Sequence, residues 1–307
     1  MTVLSVDLSS RSWSHLGVVL LQRTPSLTPY RFGPLDMPLQ PVVQAGPPPG
    51  TVVCTILPCN GPEIETLAGA GIGAGIGAGP DTENLAKASR RSQTKKSAEP
   101  IDPNLLAGWL NHLCILHNVQ VMLLDGPQAW KSEQNGLKNA RVSERQLNTP
   151  AKTGLPGMVK PVSCRAYAEF CIDIYDALCR RGWKRLETRE PSSLAPQRVL
   201  IESYPHAAWK SLGLKALPTK RLTKVSDLAE AMVALRTLIP LTVNRPPNHD
   251  QLQAIVGGLA GLAIAELNSH EALIVGHPPR REQGHWREGF IALPLDPRQS
   301  KVQWLER

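Results

Sequence analysis

The sequence predicts a mixed α/β domain in which three antiparallel strands are followed by parallel strands, with helices flanking the sheet. Three short apolar runs separated by turn signals open the chain. After residue 100, patterns typical of helices and of strands follow one another. The chain has 307 residues, 42% of them hydrophobic, which is enough to bury the core of a single domain spanning residues 1–307.

The opening runs predict a three-stranded antiparallel meander, at residues 3–8, 16–22 and roughly 31–39. Residues 41–100 are predicted to be a low-complexity insertion with one brief strand-like run at 51–57. Within the insertion, residues 68–79 consist entirely of Gly, Ala and Ile. Such a composition buries too little apolar surface to offset the entropy lost on ordering, so we expect a flexible Gly/Ala-rich loop.

From residue 102 onward, the spacing of apolar side chains predicts four helices and four further strands. The helices are expected at 102–117, 163–181, 226–238 and 248–267. The strands are expected at 119–125, 198–204, 272–276 and 286–293. The last helix contains Gly257, Gly258 and Gly261, which lower its helix propensity but would let it lie close against a sheet.

Three aspartates are candidates for chemistry. Asp7 lies inside an apolar run, where a buried carboxylate is costly unless it is paired or binds metal; otherwise it ends the strand in a turn. Asp125 ends a buried strand at Asp-Gly-Pro, which is either a functional strand end or an ordinary turn. Asp250 stands at the start of the last helix, where the helix dipole favours an acid even without a catalytic role.

The joint arrangement of these acids favours a common site. If the first and fourth strands are neighbours, the two strand acids and the helix acid converge. Clustered carboxylates repel each other unless a cation neutralises them, and hard oxygen ligands select Mg²⁺ or Mn²⁺. Such ions activate water and stabilise the leaving oxygen of a phosphodiester. The sequence therefore predicts a metal-dependent hydrolase with Asp7, Asp125 and Asp250 as catalytic residues and metal ligands.

Five short motifs, in this order, resemble those of a known family. They lie at residues 3–9, 123–127, 201–209, 249–254 and 288–294, so the resemblance runs along the chain but skips residues 41–100. The family is that of predicted RNase H-like nucleases formerly catalogued as domain of unknown function 429. The resemblance implies an RNase H-like fold with Asp7, Asp125 and Asp250 at its acidic positions. It also implies that Glu202 and residues 204–209 lie near the cleft.

The chain departs from the family pattern at one position. Members usually carry a second acid three residues after the helix aspartate, and here that position is Gln253. An amide coordinates weakly and supplies no charge, which puts the second metal site and full nuclease competence in doubt. Glu202 either serves as a fourth metal ligand in place of the missing acid or pairs with a neighbouring lysine or arginine.

The loop after Asp125 carries six basic residues against two acidic ones. Beside an acidic site, Lys131, Arg141 and Arg145 would hold phosphates and Trp130 would stack a base; the alternative is a solvated lid. His249, next to Asp250, either shuttles protons or packs at the helix start.

The net charge of +8 favours an anionic partner, nucleic acid (DNA or RNA) first. The sequence has neither a leader-like N-terminus nor an apolar run of membrane-spanning length, so we expect a cytoplasmic protein without a membrane partner. Six dispersed cysteines without a C-x-x-C pair predict buried free thiols.

Two further hypotheses stay open beside the nuclease. The first is a catalytically weakened RNase H-like module that binds nucleic acid or a protein partner, which Gln253 favours. The second is phosphoryl transfer on a related fold. The absence of a glycine turn after the first strand, where Ser9, Ser10 and Arg11 stand, counts against phosphoryl transfer.

Overall fold

A computed structural model describes residues 1–25, 47–59, 100–190, 198–268 and 270–296. The strands are β1 (Thr2–Asp7), β2 (Gly17–Arg23), β3 (Val52–Ile56), β4 (Val119–Asp125), β5 (Lys152–Thr153), β6 (Val159–Lys160), β7 (Lys184–Arg185), β8 (Val199–Ser203), β9 (Leu241–Val243), β10 (Ala272–Glu282) and β11 (His285–Pro294). The helices are α1 (Pro103–Leu116), α2 (Val142–Leu147), α3 (Arg165–Cys179), α4 (Pro205–Ser211), α5 (Val225–Leu238) and α6 (His249–Ala265).

The main sheet is mixed, as the sequence predicts. Its strand order is β10-β11-β8-β4-β1-β2-β3-β9, and β7 pairs with β8. Strands β1, β2 and β3 form an antiparallel meander, whereas β4 pairs parallel with β1, β8 with β4, and β11 with β8. The small strands β5 and β6 form a separate hairpin.

The third strand of the meander comes from a different part of the chain than predicted. It is β3, which pairs with β2 and β9 and lies inside the range 41–100 that was assigned to the insertion. That part of the range therefore belongs to the sheet. The run at 31–39 and the Gly/Ala-rich segment lie outside the described residues.

Helix α6 packs across one face of the sheet, on strands β1, β2, β4 and β11. Its glycines permit the close approach: a Cβ added at Gly258 would lie 2.6 Å from both Leu21 Cδ1 and Ser5 Cβ. At Gly261 an added Cβ would lie 2.2 Å from Leu123 Cδ1. The expectation that these glycines bring the helix close to a sheet is confirmed.

Helices α1 and α3 cover the opposite face, where Leu4 and Val6 pack with Leu106 and Ile174. Because side chains alternate along a strand, Val3, Ser5 and Asp7 of β1 face the side that carries α6. The alternation thus directs Asp7 toward the start of α6.

All six cysteines are free, as predicted; Cys54, Cys114 and Cys171 are buried, whereas Cys59, Cys164 and Cys179 are only half-buried. Burial raises the pKa of the Cys54 and Cys114 thiols to about 12, so both stay protonated at neutral pH.

Among the described residues, no helix combines the length and the apolar character needed to cross a bilayer.

Candidate metal centre

Two of the three candidate aspartates end neighbouring strands. Asp7 is the last residue of β1 and Asp125 the last residue of β4, and the parallel register pairs one directly with the other. The carboxyl ends of parallel strands are where open α/β sheets gather functional groups.

The third aspartate arrives from α6. Asp250 is in the first turn of this helix, whose N-cap Asn248 accepts a hydrogen bond from the Gln251 backbone N–H at 2.9 Å. The helix start approaches the sheet at Gly17, which pairs with Asp7: a Cβ at Gly17 would lie 2.2 Å from the Asp250 carbonyl oxygen. Only glycine leaves room for this approach, so Gly17 is a positioning residue that the sequence did not reveal.

Asp7, His249 and Asp250 form a cluster that could hold a metal ion. One ligand atom from each lies within 4.8 Å of the others. His249 Nδ1 is 3.1 Å from Asp250 Oδ1, and its Nε2 is 3.1 Å from the Pro218 carbonyl oxygen. Asp125 lies next to this cluster, because the pairing of β4 with β1 places it directly beside Asp7. The structure thus brings Asp7 and Asp250 together with His249, while Asp125 lies beside Asp7 and outside this group.

Burial and mutual repulsion perturb the two strand acids. Burial raises the pKa of Asp7 well above its usual value, and the charges of Asp125 and Asp250 raise it further. Burial also raises the pKa of Asp125, and the Glu202 charge adds to this effect. The pair can be relieved of its repulsion either by retaining a proton or by binding a cation.

Asp250 differs from the strand acids because it has cationic neighbours. Burial tends to raise its pKa, but hydrogen bonds from His249 and Lys220 outweigh that effect and leave the pKa below its usual value. The Lys220 ammonium donates to Asp250 Oδ2, and the Lys220 side chain is 50% exposed. Sequence reasoning missed Lys220, although the basic run around it, Thr-Lys-Arg-Leu-Thr-Lys, was a visible signal.

Glu202 does not join the cluster. Its two oxygens accept from Arg141 Nη1 at 2.6 Å and Nη2 at 2.7 Å, and Arg141 also pairs with Glu144. On β8, the alternation that directs Ile201 to the α6 face turns Glu202 to the other face. The structure thus favours the ion pair, and the metal-ligand interpretation of Glu202 is corrected.

The prediction that Arg141, Lys131 and Trp130 bind substrate is also wrong, because all three side chains are buried. Arg141 is 1% exposed and fully occupied by two carboxylates. Lys131 is 5% exposed and donates to the Ser132 carbonyl oxygen at 2.7 Å. Trp130 packs in a small core cluster with Val159. None of the three presents its functional group to solvent, where a phosphate or base would bind.

Arg145 and Gln253 are the other two residues that the sequence analysis singles out. Arg145 is exposed and lines an open cleft of about 950 Å³. Gln253, one turn after Asp250, accepts a hydrogen bond from Trp209 Nε1 at 2.8 Å through its Oε1. The amide is therefore engaged with Trp209.

Comparison with protein-family models, with curated proteins and with solved structures gave no match. The site is therefore interpreted from its own chemistry. Two carboxylates and an imidazole are common ligands of divalent cations, and the repulsion between Asp7 and Asp125 is what a cation would relieve. The residues present fit a divalent metal ion.

Proposed function

We propose that this protein is a divalent-metal-dependent hydrolase that cleaves phosphodiester bonds of nucleic acid. The observation that carries the proposal is the convergence of Asp7, His249 and Asp250 within 4.8 Å, beside Asp125, at the carboxyl ends of β1 and β4. The metal would be held by Asp7 and Asp250, with His249 beside them. Bound there, it would polarise a phosphoryl oxygen as a Lewis acid.

The donor set favours Mn²⁺ over Mg²⁺. Both ions accept carboxylate oxygens, but Mg²⁺ demands oxygen ligands in near-ideal octahedral geometry, whereas later transition metals increasingly accept imidazole nitrogen. A site that includes His249 therefore suits Mn²⁺ better.

The protein side chains have separate roles in this proposal. Asp125 is the general base, because a carboxylate whose pKa is raised by burial takes up a proton from an attacking water more readily at neutral pH. Asp250 stays ionised because of His249 and Lys220, and so offers a permanently charged oxygen. Gly17 and the Asn248 cap fix the helix start that carries it.

The sheet order supports an RNase H-like assignment. An antiparallel meander β3-β2-β1 continues into parallel β4 and β8, with the acids on β1, β4 and a late helix. This is the arrangement that the motif resemblance led us to expect, and it is the reason for choosing nucleic acid as the substrate.

The test begins with a Mn²⁺ titration followed by thermal unfolding. Mn²⁺ should raise the melting temperature of the parent protein and of the control Asp173→Asn, which changes an exposed acid of α3, but not that of Asp7→Asn. Single-stranded, duplex and hybrid substrates are then incubated with Mn²⁺. Cleavage by the parent and by Asp173→Asn, but not by Asp7→Asn, is expected; equal metal stabilisation of all three proteins would refute the site.

A weakened module that binds nucleic acid or a protein partner is the second candidate. Two observations favour it: Gln253 is engaged with Trp209, and Lys220 pairs with Asp250. Gln253→Glu would restore the acid of the family pattern while retaining an oxygen acceptor for Trp209. If the parent cleaves none of the substrates and Gln253→Glu does, the weakened-module function replaces the first proposal.

A further inference from the structure

An open cleft beside the metal centre is lined by cationic residues. Its volume is about 950 Å³, and Arg145 on α2 and Lys210 on α4 line it together with His206. No acidic residue is among the described residues that line it. Arg145, His206 and Lys210 are all exposed. The cleft is therefore complementary to a chain of negative charges.

The cleft adjoins a smaller cavity that reaches Asp125, the strand partner of Asp7. Pro150 and Tyr204 line both spaces. Tyr167 and Ile291 line the smaller cavity, together with the mutually paired side chains of Arg141, Glu144 and Glu202. The smaller cavity measures about 200 Å³. This volume is below the range of roughly 300–1,000 Å³ that drug-sized ligands occupy, so it suits a single flat ring system.

We propose that the cleft binds the backbone of a single nucleic-acid strand, with Arg145 and Lys210 on its phosphates and one unpaired base entering the cavity past Tyr204. This inference names the substrate of the proposed hydrolase. Cleavage of the bound strand rests on that proposed function, whereas binding of the strand does not. A duplex fits poorly because a base pair is too large for the cavity. The tilted rings of Tyr204 and His206, with centroids 6.0 Å apart, offer the aromatic surface on which unpaired bases stack.

The first experiment measures binding without cleavage. Fluorescence anisotropy with a labelled 15-nucleotide single strand is recorded in EDTA for the parent and for Arg145→Ala/Lys210→Ala. The matched control is Lys184→Ala/Arg236→Ala, which removes two exposed charges that do not line the cleft. The cleft variant should bind about tenfold more weakly, and the slope of log K against log salt should fall by about 1.4, roughly 0.7 for each lost phosphate contact. The control should bind like the parent.

The second experiment addresses the base. Tyr204→Ala should weaken single-strand binding by about tenfold, whereas Tyr204→Phe, which keeps the ring, should bind like the parent. A blunt duplex of the same sequence should bind more weakly than the single strand. Equal or tighter duplex binding, or an equal loss in Tyr204→Phe, would overturn the single-strand assignment.

These outcomes distinguish a failure of the binding proposal from a failure of the proposed hydrolase function. If the parent binds through Arg145 and Lys210 but never cleaves with Mn²⁺, the proposed hydrolase fails and the cleft stands. If it cleaves but the cleft variant binds and cleaves like the parent, the cleft assignment fails alone. If the parent does not bind the single strand, or if the cleft variant and its control lose binding equally, the cleft proposal is wrong.

Discussion

At the scale of single residues, Lys220 decides how freely Asp250 can take a cation. Its ammonium donates to Asp250 Oδ2, the same carboxylate that would hold the metal. Lys220→Ala removes a positive charge close to the metal site, so we expect Mn²⁺ to bind several-fold more tightly. The gain in affinity is limited because half of the Lys220 side chain is exposed, and solvent screens its charge. Isothermal titration measures it.

The control for this variant is Arg221→Ala, which changes the neighbouring exposed charge. Its Mn²⁺ affinity should match that of the parent. Weaker Mn²⁺ binding in Lys220→Ala would mean that the lysine supports the metal centre instead of competing with the ion.

Arg141 is a structural residue in this fold. It lies between Glu202 and Glu144, and all three side chains are almost fully buried. Arg141→Ala would leave two buried carboxylates without their cation, so we expect a loss of about 3–5 kcal/mol in the free energy of unfolding. Exposed Arg145→Ala should change it by no more than about 0.5 kcal/mol. Urea denaturation compares the two, and a similar small effect in both would show that the buried ion pair is dispensable.

The sequence predicts the positions of the acids better than the burial of the basic side chains. Asp7 and Asp125 were predictable because they interrupt or end an apolar run, and Asp250 because it stands at the start of an apolar helix. Arg141 and Lys131 were assigned to substrate because the loop is basic. Their burial depends on partners distant in sequence, such as Glu202 and Glu288, which draw the loop against β8 and β11.

At the scale of elements, the contact of α6 with the sheet depends on its glycines. Gly258→Ala gains helix propensity of up to about 1 kcal/mol, but the new methyl group would lie 2.6 Å from Ser5 Cβ and Leu21 Cδ1. Overpacking typically costs about 1–3 kcal/mol, so we expect net destabilisation. We also expect weaker Mn²⁺ binding, since α6 carries His249 and Asp250.

The matched control is Gly108→Ala on α1. There the nearest atom to an added Cβ is Arg181 Nη2 at 3.6 Å, which is ordinary contact. This variant should be more stable than the parent by up to about 1 kcal/mol, as measured by urea denaturation. A stabilised Gly258→Ala would contradict the close packing of α6 on β1 and β2.

Most elements were predictable because their apolar periodicity is strong. β4 has the bounds that the sequence indicates, and α1, α3, α5 and α6 agree with their predicted bounds to within two residues at both ends. The three-residue β9 and the two-residue β5 and β6 carry too little pattern to detect. β10 continues beyond its predicted end because a shift in register between His277 and Arg280 accommodates its two prolines.

At the scale of the whole molecule, the metal centre links stability to pH. Asp7 and Asp125 have pKa values raised by burial, so the native state binds protons that the unfolded chain, with an aspartate pKa of about 3.9, has released. Without metal, the free energy of unfolding therefore falls as pH rises from about 4 through the raised pKa values. Asp7→Asn imitates the protonated acid, so in EDTA at pH 8 it should melt at a higher temperature than the parent.

Mn²⁺ should reverse this order, because the ion binds the deprotonated carboxylates and competes with protons for them. The stabilisation of the parent by Mn²⁺ should therefore grow between pH 5 and pH 8, reaching about 2.7 kcal/mol when the ion is at 100 times its Kd. Asp7→Asn should show no such growth. Thermal unfolding across this pH range, with Mn²⁺ or EDTA, measures both effects. A Mn²⁺ shift that is independent of pH would place the ion away from Asp7, because a ligand that holds a proton must release it before the ion binds.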